Sequence, residues 1–315
     1  MRLPLLTSLA CLPLSATAEV PQVVTDIAPI HSLVSQVMEG LGKPDVLVSG
    51  GASPHDFQFS FDQADAVQSA DLVIWVGPAL TPWLDEALDT LGGDVDLLVL
   101  LEAEGWPALP LREDAAFEDH DDHGHAEHDE HDEDHKDEDH EGHDHDDHAD
   151  HDEHSDARLD PHAWLDPQVA QAWVTLIATQ LSDLDPDNAA TYAANATAAV
   201  ADLAALETEI TARLAAAPAG DIIVPHDAYQ YFGTRFDRLA VASITLDDAA
   251  APAPDKIADL QARIAEDNIA CVLTDPQARA EWSDLIREGS DARTALADPI
   301  GDTFDLGPQH YRHTL

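Results

Sequence analysis

Cysteine and basic residues are both scarce in this 315-residue chain. The two cysteines are Cys11 and Cys271, and only Cys271 remains if the N-terminal segment described below is removed. A mature chain with one cysteine forms no internal disulfide. Lysine and arginine together number 14 against 63 acidic residues, which gives a net charge of −49. Such a surface argues against nucleic acid and anionic membranes as partners and is compatible with a cation.

Long hydrophobic runs are also missing, because no stretch reaches the about 18 apolar residues typical of a membrane span. The N-terminus instead has the three parts of a secretory signal peptide. Arg2 is the charged part, Leu3–Leu14 the apolar part, and Ala16-Thr17-Ala18 the cleavage site. We therefore predict that residues 1–18 are a signal peptide cleaved after Ala18, and that the mature protein is periplasmic.

Residues 113–157 form an insertion of unusual composition. Between Glu113 and Asp156 there are 23 acidic residues and one base, Lys136, with almost nothing apolar to bury. This composition predicts a disordered segment. Imidazole and carboxylate groups suit zinc, so we expect an accessory metal-binding tract. It holds 12 of the 18 histidines: His120, His123, His125, His128, His131, His135, His140, His143, His145, His148, His151 and His154.

Outside the insertion, short apolar runs alternate with amphipathic helical stretches. This alternation predicts an α/β fold with parallel-type sheets flanked by helices. Asp185-Pro186 marks the start of a long helix that ends before Pro218, with one apolar stripe along its length. We expect residues 19–184 to form an N-terminal α/β lobe, 185–217 a linking helix, and 218–315 a C-terminal α/β lobe.

Three histidines outside the insertion share a sequence context. His55, His162 and His226 each lie beside proline and aspartate in a loop next to a predicted strand or helix. Ligands of open α/β sheets bind at the carboxyl ends of strands. Three imidazoles with a carboxylate or water would complete a zinc tetrahedron. The spacing alone matches no local zinc motif, and the metalloprotease motif HExxH is absent.

The sequence gives weaker evidence of a functional role for the other three histidines and for two tryptophans. His31 follows Pro29-Ile30 near the first predicted helix, where we favour a structural role over one near the metal. We expect His310 and His313, near the C-terminus, to face solvent. Trp83 and Trp164 are interpreted as core residues or cleft walls.

Four motifs, taken in order, resemble a known family. They are GASPHDF, DPHAWLDP, PHDAYQYF and ADPIGD, with the His-rich insertion between the first two. Together they resemble the metal-binding receptors of bacterial ABC importers, most closely the zinc receptors of the ZnuA type. The resemblance covers essentially the whole mature chain. It implies two α/β lobes joined by one long helix.

The resemblance also implies a ligand set. His55, His162 and His226 stand at the positions of the family's three histidine ligands. Manganese-type relatives typically have glutamate at the third of these positions, so histidine there favours zinc. Asp298 in ADPIGD matches a carboxylate that some relatives use as the fourth ligand, and a water is the alternative. The cysteine pair of many zinc receptors is incomplete here, because no partner for Cys271 follows it.

The expected function is that of a periplasmic solute-binding protein. It would capture Zn²⁺ between two lobes and deliver it to an ABC permease, as a monomer and without catalysis. A manganese or iron receptor of the same family and a periplasmic zinc buffer are the alternatives. A three-histidine zinc hydrolase is a further one, which a closed fourth position at Asp298 would disfavour.

Overall fold

The computed structural model describes residues 20–91, 93, 95–112, 159–246, 251–267 and 269–315. The predicted signal peptide and the His-rich insertion lie outside these residues. The strands are β1 (Val23–Thr25), β2 (Asp45–Val46), β3 (Leu72–Trp75), β4 (Asp96–Val99), β5 (Ile222–His226), β6 (Ala242–Thr245), β7 (Cys271–Thr274) and β8 (Arg293–Leu296). The helices are α1 (Ala28–Val37), α2 (Phe61–Ser69), α3 (Pro82–Leu91), α4 (Pro167–Leu184), α5 (Ala189–Ala216), α6 (Gln230–Phe236), α7 (Pro254–Glu266), α8 (Ala280–Ile286) and α9 (His310–Thr314).

The strands form two four-stranded sheets with the same topology. Their orders are β2-β1-β3-β4 and β6-β5-β7-β8, and all their strand pairs are parallel. In each sheet the chain moves first to one side of the opening strand and then to the other. This reversal creates a crevice at the carboxyl ends of the strands, where ligands of open α/β sheets bind. The predicted α/β class is therefore confirmed.

The long helix predicted from Asp185 begins with one 3-10 turn, Pro186–Asn188, and continues as α5. Its 28 residues span about 42 Å at about 1.5 Å per residue. It packs against α1 and α4, and its buried positions form the stripe expected from a period of 3.6. These buried residues are Tyr192, Ala196, Ala199, Leu203, Leu206 and Ile210.

The first sheet is covered on both faces, whereas the second has a smaller core. One large cluster joins the first sheet to α1, α4 and α5 and includes Tyr231 and Tyr311 from the C-terminal part of the chain. Another cluster, around Val73 and Trp75, covers the opposite face. The second sheet packs against α7 and α8 around Ile223 and a few other apolar residues. In the part of the chain described, none of the helices is both long and apolar enough to cross a membrane.

Three helices differ from the expectation drawn from sequence. The sequence pattern predicts a helix from Asp284 to Gly289, whereas α8 covers Ala280–Ile286 and so begins four residues earlier and ends three residues earlier. Ser283 lies buried there and donates a hydrogen bond to the carbonyl of Leu273, a tertiary contact that periodicity does not reveal. The short helices α6 and α9 were not predicted, because each has too few residues for a helical period to be recognised.

Candidate metal centre

Two loops and the end of one strand bring three histidines together at the crevice between the sheets. His55 lies in the loop between β2 and α2, His162 precedes a 3-10 turn before α4, and His226 is the last residue of β5. One ring nitrogen from each lies within 4.8 Å of the others. The Nε2 atoms of His55 and His162, which are 107 residues apart, lie 3.3 Å from each other. No other such cluster was found in the described ranges.

Tryptophan and glycine shape the loop that carries His55. The Nε1 atom of Trp83 donates a hydrogen bond of 2.7 Å to the carbonyl of Pro54. Gly50 and Gly51 have φ angles of 74° and 78°, in the left-handed region that favours glycine. The side chain of Ser53 accepts a hydrogen bond from the backbone N–H of His55 at 3.1 Å. Trp83 therefore supports the cleft wall.

A buried aspartate orients His162. The Oδ1 atom of Asp160 lies 2.8 Å from Nδ1 of His162 and also accepts the histidine's backbone N–H at 2.9 Å. A proton held on Nδ1 leaves the Nε2 lone pair available to a metal. Burial, with the nearby His226, lowers the pKa of His162 to about 3. The imidazole is consequently neutral at physiological pH, which is the form that binds metals.

A buried aspartate also contacts the Nδ1 atom of His226. Nδ1 of His226 lies 3.1 Å from Oδ2 of Asp275, and both residues are buried. Asp275 directly follows β7, the neighbour of β5 in the second sheet. The next residue along from His226 is Asp227, which forms an ion pair with Arg112 at the start of the insertion. Burial raises the pKa of Asp227, and Arg112 opposes that shift.

Asp160 and Asp275 were not singled out from sequence. Each precedes a proline, and Asp160 stands two residues before His162 inside the second motif. Carboxylates that accept the second N–H of a metal-binding histidine fix its tautomer and raise its basicity. An Asp-Pro pair beside a candidate histidine was therefore the available signal for Asp160. Asp275 lies 49 residues from His226, and only the pairing of β5 with β7 brings them together.

Asp298 lies outside the cluster of three histidines. Its Oδ1 accepts the backbone N–H of Gly301 at 2.8 Å, and its Oδ2 accepts that of Thr303 at 3.3 Å. Burial raises the pKa of Tyr229 well above its usual value, and the charges of Asp275 and Asp298 add to that shift. Asp298 is thus near the site, and its role as the fourth ligand stays a prediction.

The remaining histidines are placed differently from one another. His310 was expected to face solvent, and this was wrong: it is 1% exposed, with Nε2 2.7 Å from the carbonyl of Ile300. Its burial follows from α9, whose Tyr311 donates a hydrogen bond from its hydroxyl to the carbonyl of Trp164.

Two further histidines that the structure describes lie outside the cluster, one exposed and one buried. His313 is exposed, as expected. His31 is buried on α1, and burial lowers its pKa. The twelve histidines of the insertion lie outside the described residues.

A cavity of about 10 Å³ lies at the three histidines. Its size suits an ion and one small ligand far better than an organic molecule. Larger grooves lie elsewhere, and one of about 510 Å³ between α4 and α5 has no histidine in its lining. The cavity is lined by Pro54, His55, His162, Trp164, His226, Gln277, Pro299 and Ile300.

Solved structures with the same fold support this placement of the sheets. A structure described as "Crystal structure of ZnuA" matches with a TM-score of 0.70 and 22% identity, covering 93% of this chain and 95% of that one. A solute-binding protein from Pseudomonas aeruginosa, solved in complex with Mn²⁺, matches with a TM-score of 0.72 and 18% identity, covering 93% of each chain. At these identities the likeness concerns the fold.

Other relatives, found by sequence, share a higher identity with this chain than these solved structures do. A high-affinity zinc uptake system protein ZnuA from Paracoccus denitrificans is 45% identical over 314 residues, covering 99% of this chain and 94% of that protein. The protein of the same name from Brucella abortus is 41% identical over 297 residues, covering 94% of this chain and 89% of that protein. The family model described as "Zinc-uptake complex component A periplasmic" matches residues 23–314. The chain therefore belongs to the ZnuA family of periplasmic zinc-uptake components.

Proposed function

We propose that this protein is a periplasmic receptor that binds Zn²⁺ through His55, His162 and His226 and delivers it to an ABC permease. The observation that carries the proposal is the convergence of three imidazole nitrogens at one small cavity. Membership of the zinc-uptake family supports zinc as the cargo and a membrane permease as the partner. The binding step needs no catalytic group, so we assign the protein no enzymatic activity.

The geometry of the cluster is consistent with tetrahedral zinc. Two nitrogens bound to zinc at about 2.0–2.1 Å lie about 3.3–3.4 Å apart in a tetrahedron. The Nε2 atoms of His55 and His162 are separated by 3.3 Å. His162 is held neutral by burial, and Asp160 and Asp275 contact the Nδ1 atoms of their histidines. The site can therefore accept a cation without first losing a proton from His162.

The fourth position is assigned to an oxygen donor. Asp298 and a water are the candidates from sequence. Nitrogen ligands favour zinc over manganese, which prefers oxygens. Selectivity for zinc would therefore rest on the three histidines, whichever oxygen completes the tetrahedron.

Capture and release would involve small movements of the loops. The site draws on loops of both sheets, while α5 packs along α1 and α4. A long helix in such packing limits wide hinge opening. We assign residues 1–18 to an export signal and 113–157 to a weak accessory zinc tract, with 19–184 and 218–315 as lobes joined by residues 185–217.

The test is a metal titration of the mature chain in competition with a chelator of known affinity. We expect one tight Zn²⁺ site, weaker Mn²⁺ binding, and retention of the tight site when residues 113–157 are deleted. Tighter Mn²⁺ than Zn²⁺ binding would contradict the proposal. Zinc uptake by cells that lack the receptor, measured with and without its permease, separates delivery from buffering, because a buffer would act without the permease.

A further inference from the structure

Gln277 lies at the three-histidine cavity, and neither the four ligand motifs nor the histidine cluster includes it. It stands two residues beyond Asp275, in the loop that follows β7. Besides the histidines, the cavity is lined by Pro54, Trp164, Pro299, Ile300 and Gln277. Among these, Gln277 alone has a side-chain oxygen, and Trp164 already donates its Nε1–H to the carbonyl of Pro299 at 2.8 Å. Gln277 is therefore the lining side chain that can accept a hydrogen bond there.

A carboxylate fixes the orientation of the Gln277 amide. Its Nε2 atom donates a hydrogen bond of 2.6 Å to Oδ2 of Asp302. The reversed amide would place its oxygen against a carboxylate oxygen, and both groups would be acceptors. The Oε1 atom must therefore face away from Asp302. It is buried and accepts no hydrogen bond from any residue that the structure describes.

A buried acceptor without a donor destabilises a protein, so such atoms usually have a partner. A zinc ion on three histidines needs one more ligand, and water fills that position at many zinc sites. A buried water needs a space of roughly 10–15 Å³ and two to four polar partners. The cavity of about 10 Å³ is close to that size, and the ion and Oε1 of Gln277 would be two partners.

We propose that Gln277 is a positioning residue whose Oε1 atom accepts a hydrogen bond from the water that completes the coordination of zinc. The proposal rests on the proposed function. It assigns Asp302 the task of holding the amide in the required orientation. It also assigns the fourth position to water instead of Asp298, whose two carboxylate oxygens accept the backbone N–H groups of Gly301 and Thr303.

The experiment compares variants of the full mature chain in two measurements. The first is Zn²⁺ affinity by chelator competition, and the second is the visible absorption of bound Co²⁺, which reports coordination geometry. Gln277→Met keeps the length of the side chain and removes the acceptor. We expect it to weaken zinc binding by about 10- to 100-fold, as for other residues that support a metal ligand, and to change the Co²⁺ spectrum. Asp302→Ala should show a smaller loss in the same direction.

The matched control is Gln68→Met, on the exposed surface of α2, which should leave both measurements unchanged. The proposal is overturned if Gln277→Met binds zinc within about twofold of the parent with the same Co²⁺ spectrum. It is also overturned if only Asp298→Asn changes that spectrum. A lowered unfolding temperature of the metal-free variant with an unchanged spectrum would indicate a merely structural role. Failure of the parent to bind zinc would refute the proposed function itself.

Discussion

The two sheets have the same strand order but very different surroundings. All four residues of β3 in the first sheet are buried, whereas β7, the equivalent strand of the second sheet, has one buried residue. The first sheet shares a core with α1, α4 and α5 and has a second cluster on its other face. The second sheet has one smaller cluster with α7 and α8. The same topology thus yields one heavily buried half and one lightly buried half.

The candidate metal centre draws on both halves. His55 and His162 belong to loops around the first sheet, whereas His226 ends β5 and its partner Asp275 directly follows β7 in the second. Local opening occurs more readily where fewer apolar contacts hold a segment. We therefore expect the elements around the second sheet to move first when the site opens. Four predictions test this comparison, in order of decreasing effect.

The first prediction concerns one histidine from each half. His162→Ala and His226→Ala should each weaken Zn²⁺ binding by more than the about 10- to 100-fold that loss of a supporting residue costs. The reason is that each substitution removes a nitrogen donor. Chelator competition measures the affinities, with His313→Ala as the exposed control. Retention of tight binding by either variant would mean that the site lies in one half alone.

The second prediction compares the cores through two fully buried isoleucines, Ile74 of β3 and Ile223 of β5. Substitution by alanine should lower the free energy of unfolding by about 2–5 kcal/mol in each case. The decrease for Ile74→Ala should lie nearer the upper end of this range, because the larger apolar cluster around Ile74 relaxes less to fill the cavity that the substitution leaves. Urea denaturation of the metal-free variants measures this. The reverse order would contradict the proposed difference between the halves.

The third prediction concerns the supporting carboxylates, one on each side of the site. Asp160→Ala and Asp275→Ala should each weaken zinc binding by about 10- to 100-fold, because the histidine loses the acceptor that orients it. Chelator competition is again the measurement. Asp45→Ala, an exposed aspartate of β2, is the control. An effect as large as that of removing the histidine itself would show that the carboxylate does more than orient the ring.

The fourth prediction concerns pH. Burial lowers the pKa of His162 from 6.5 to about 3, so between these values the unfolded state binds a proton that the folded state does not. The contribution of His162 to the stability of the metal-free protein should therefore fall as pH drops below 6.5, whereas Asp26 and Asp160, whose pKa values burial raises to about 7, contribute in the opposite direction. This residue alone contributes a loss of less than about 1 kcal/mol between pH 7 and 6, rising to about 2 kcal/mol by pH 5.

Unfolding free energies at several pH values measure this contribution by comparing the parent with His162→Gln. The exposed histidine variant His313→Gln serves as the control and should keep the slope of the parent. An unchanged slope in His162→Gln would show that His162 titrates normally.

Local features of this fold were predictable wherever the signal lay within a few residues. Asp166 caps α4 by accepting the backbone N–H of Gln168, with Pro167 in the first turn, and such an Asp-Pro pair is a common sequence signal for the start of a helix. The stripe of α5 also follows from its period. The burial of His310 and the helix α9 were not predictable, because both depend on Tyr311 reaching Trp164, which is 147 residues away in the chain.

The sequence was sufficient to predict the alternation of strands and helices, the long amphipathic helix, and the three motif histidines with their family resemblance. Periodicity and short motifs encode these features because they concern neighbours along the chain. The folded structure was needed to show that Asp275 contacts His226, that Gln277 lines the cavity, and that Asp298 accepts backbone N–H groups. Such contacts depend on which strand ends become neighbours, since parallel pairing joins residues that lie far apart in sequence.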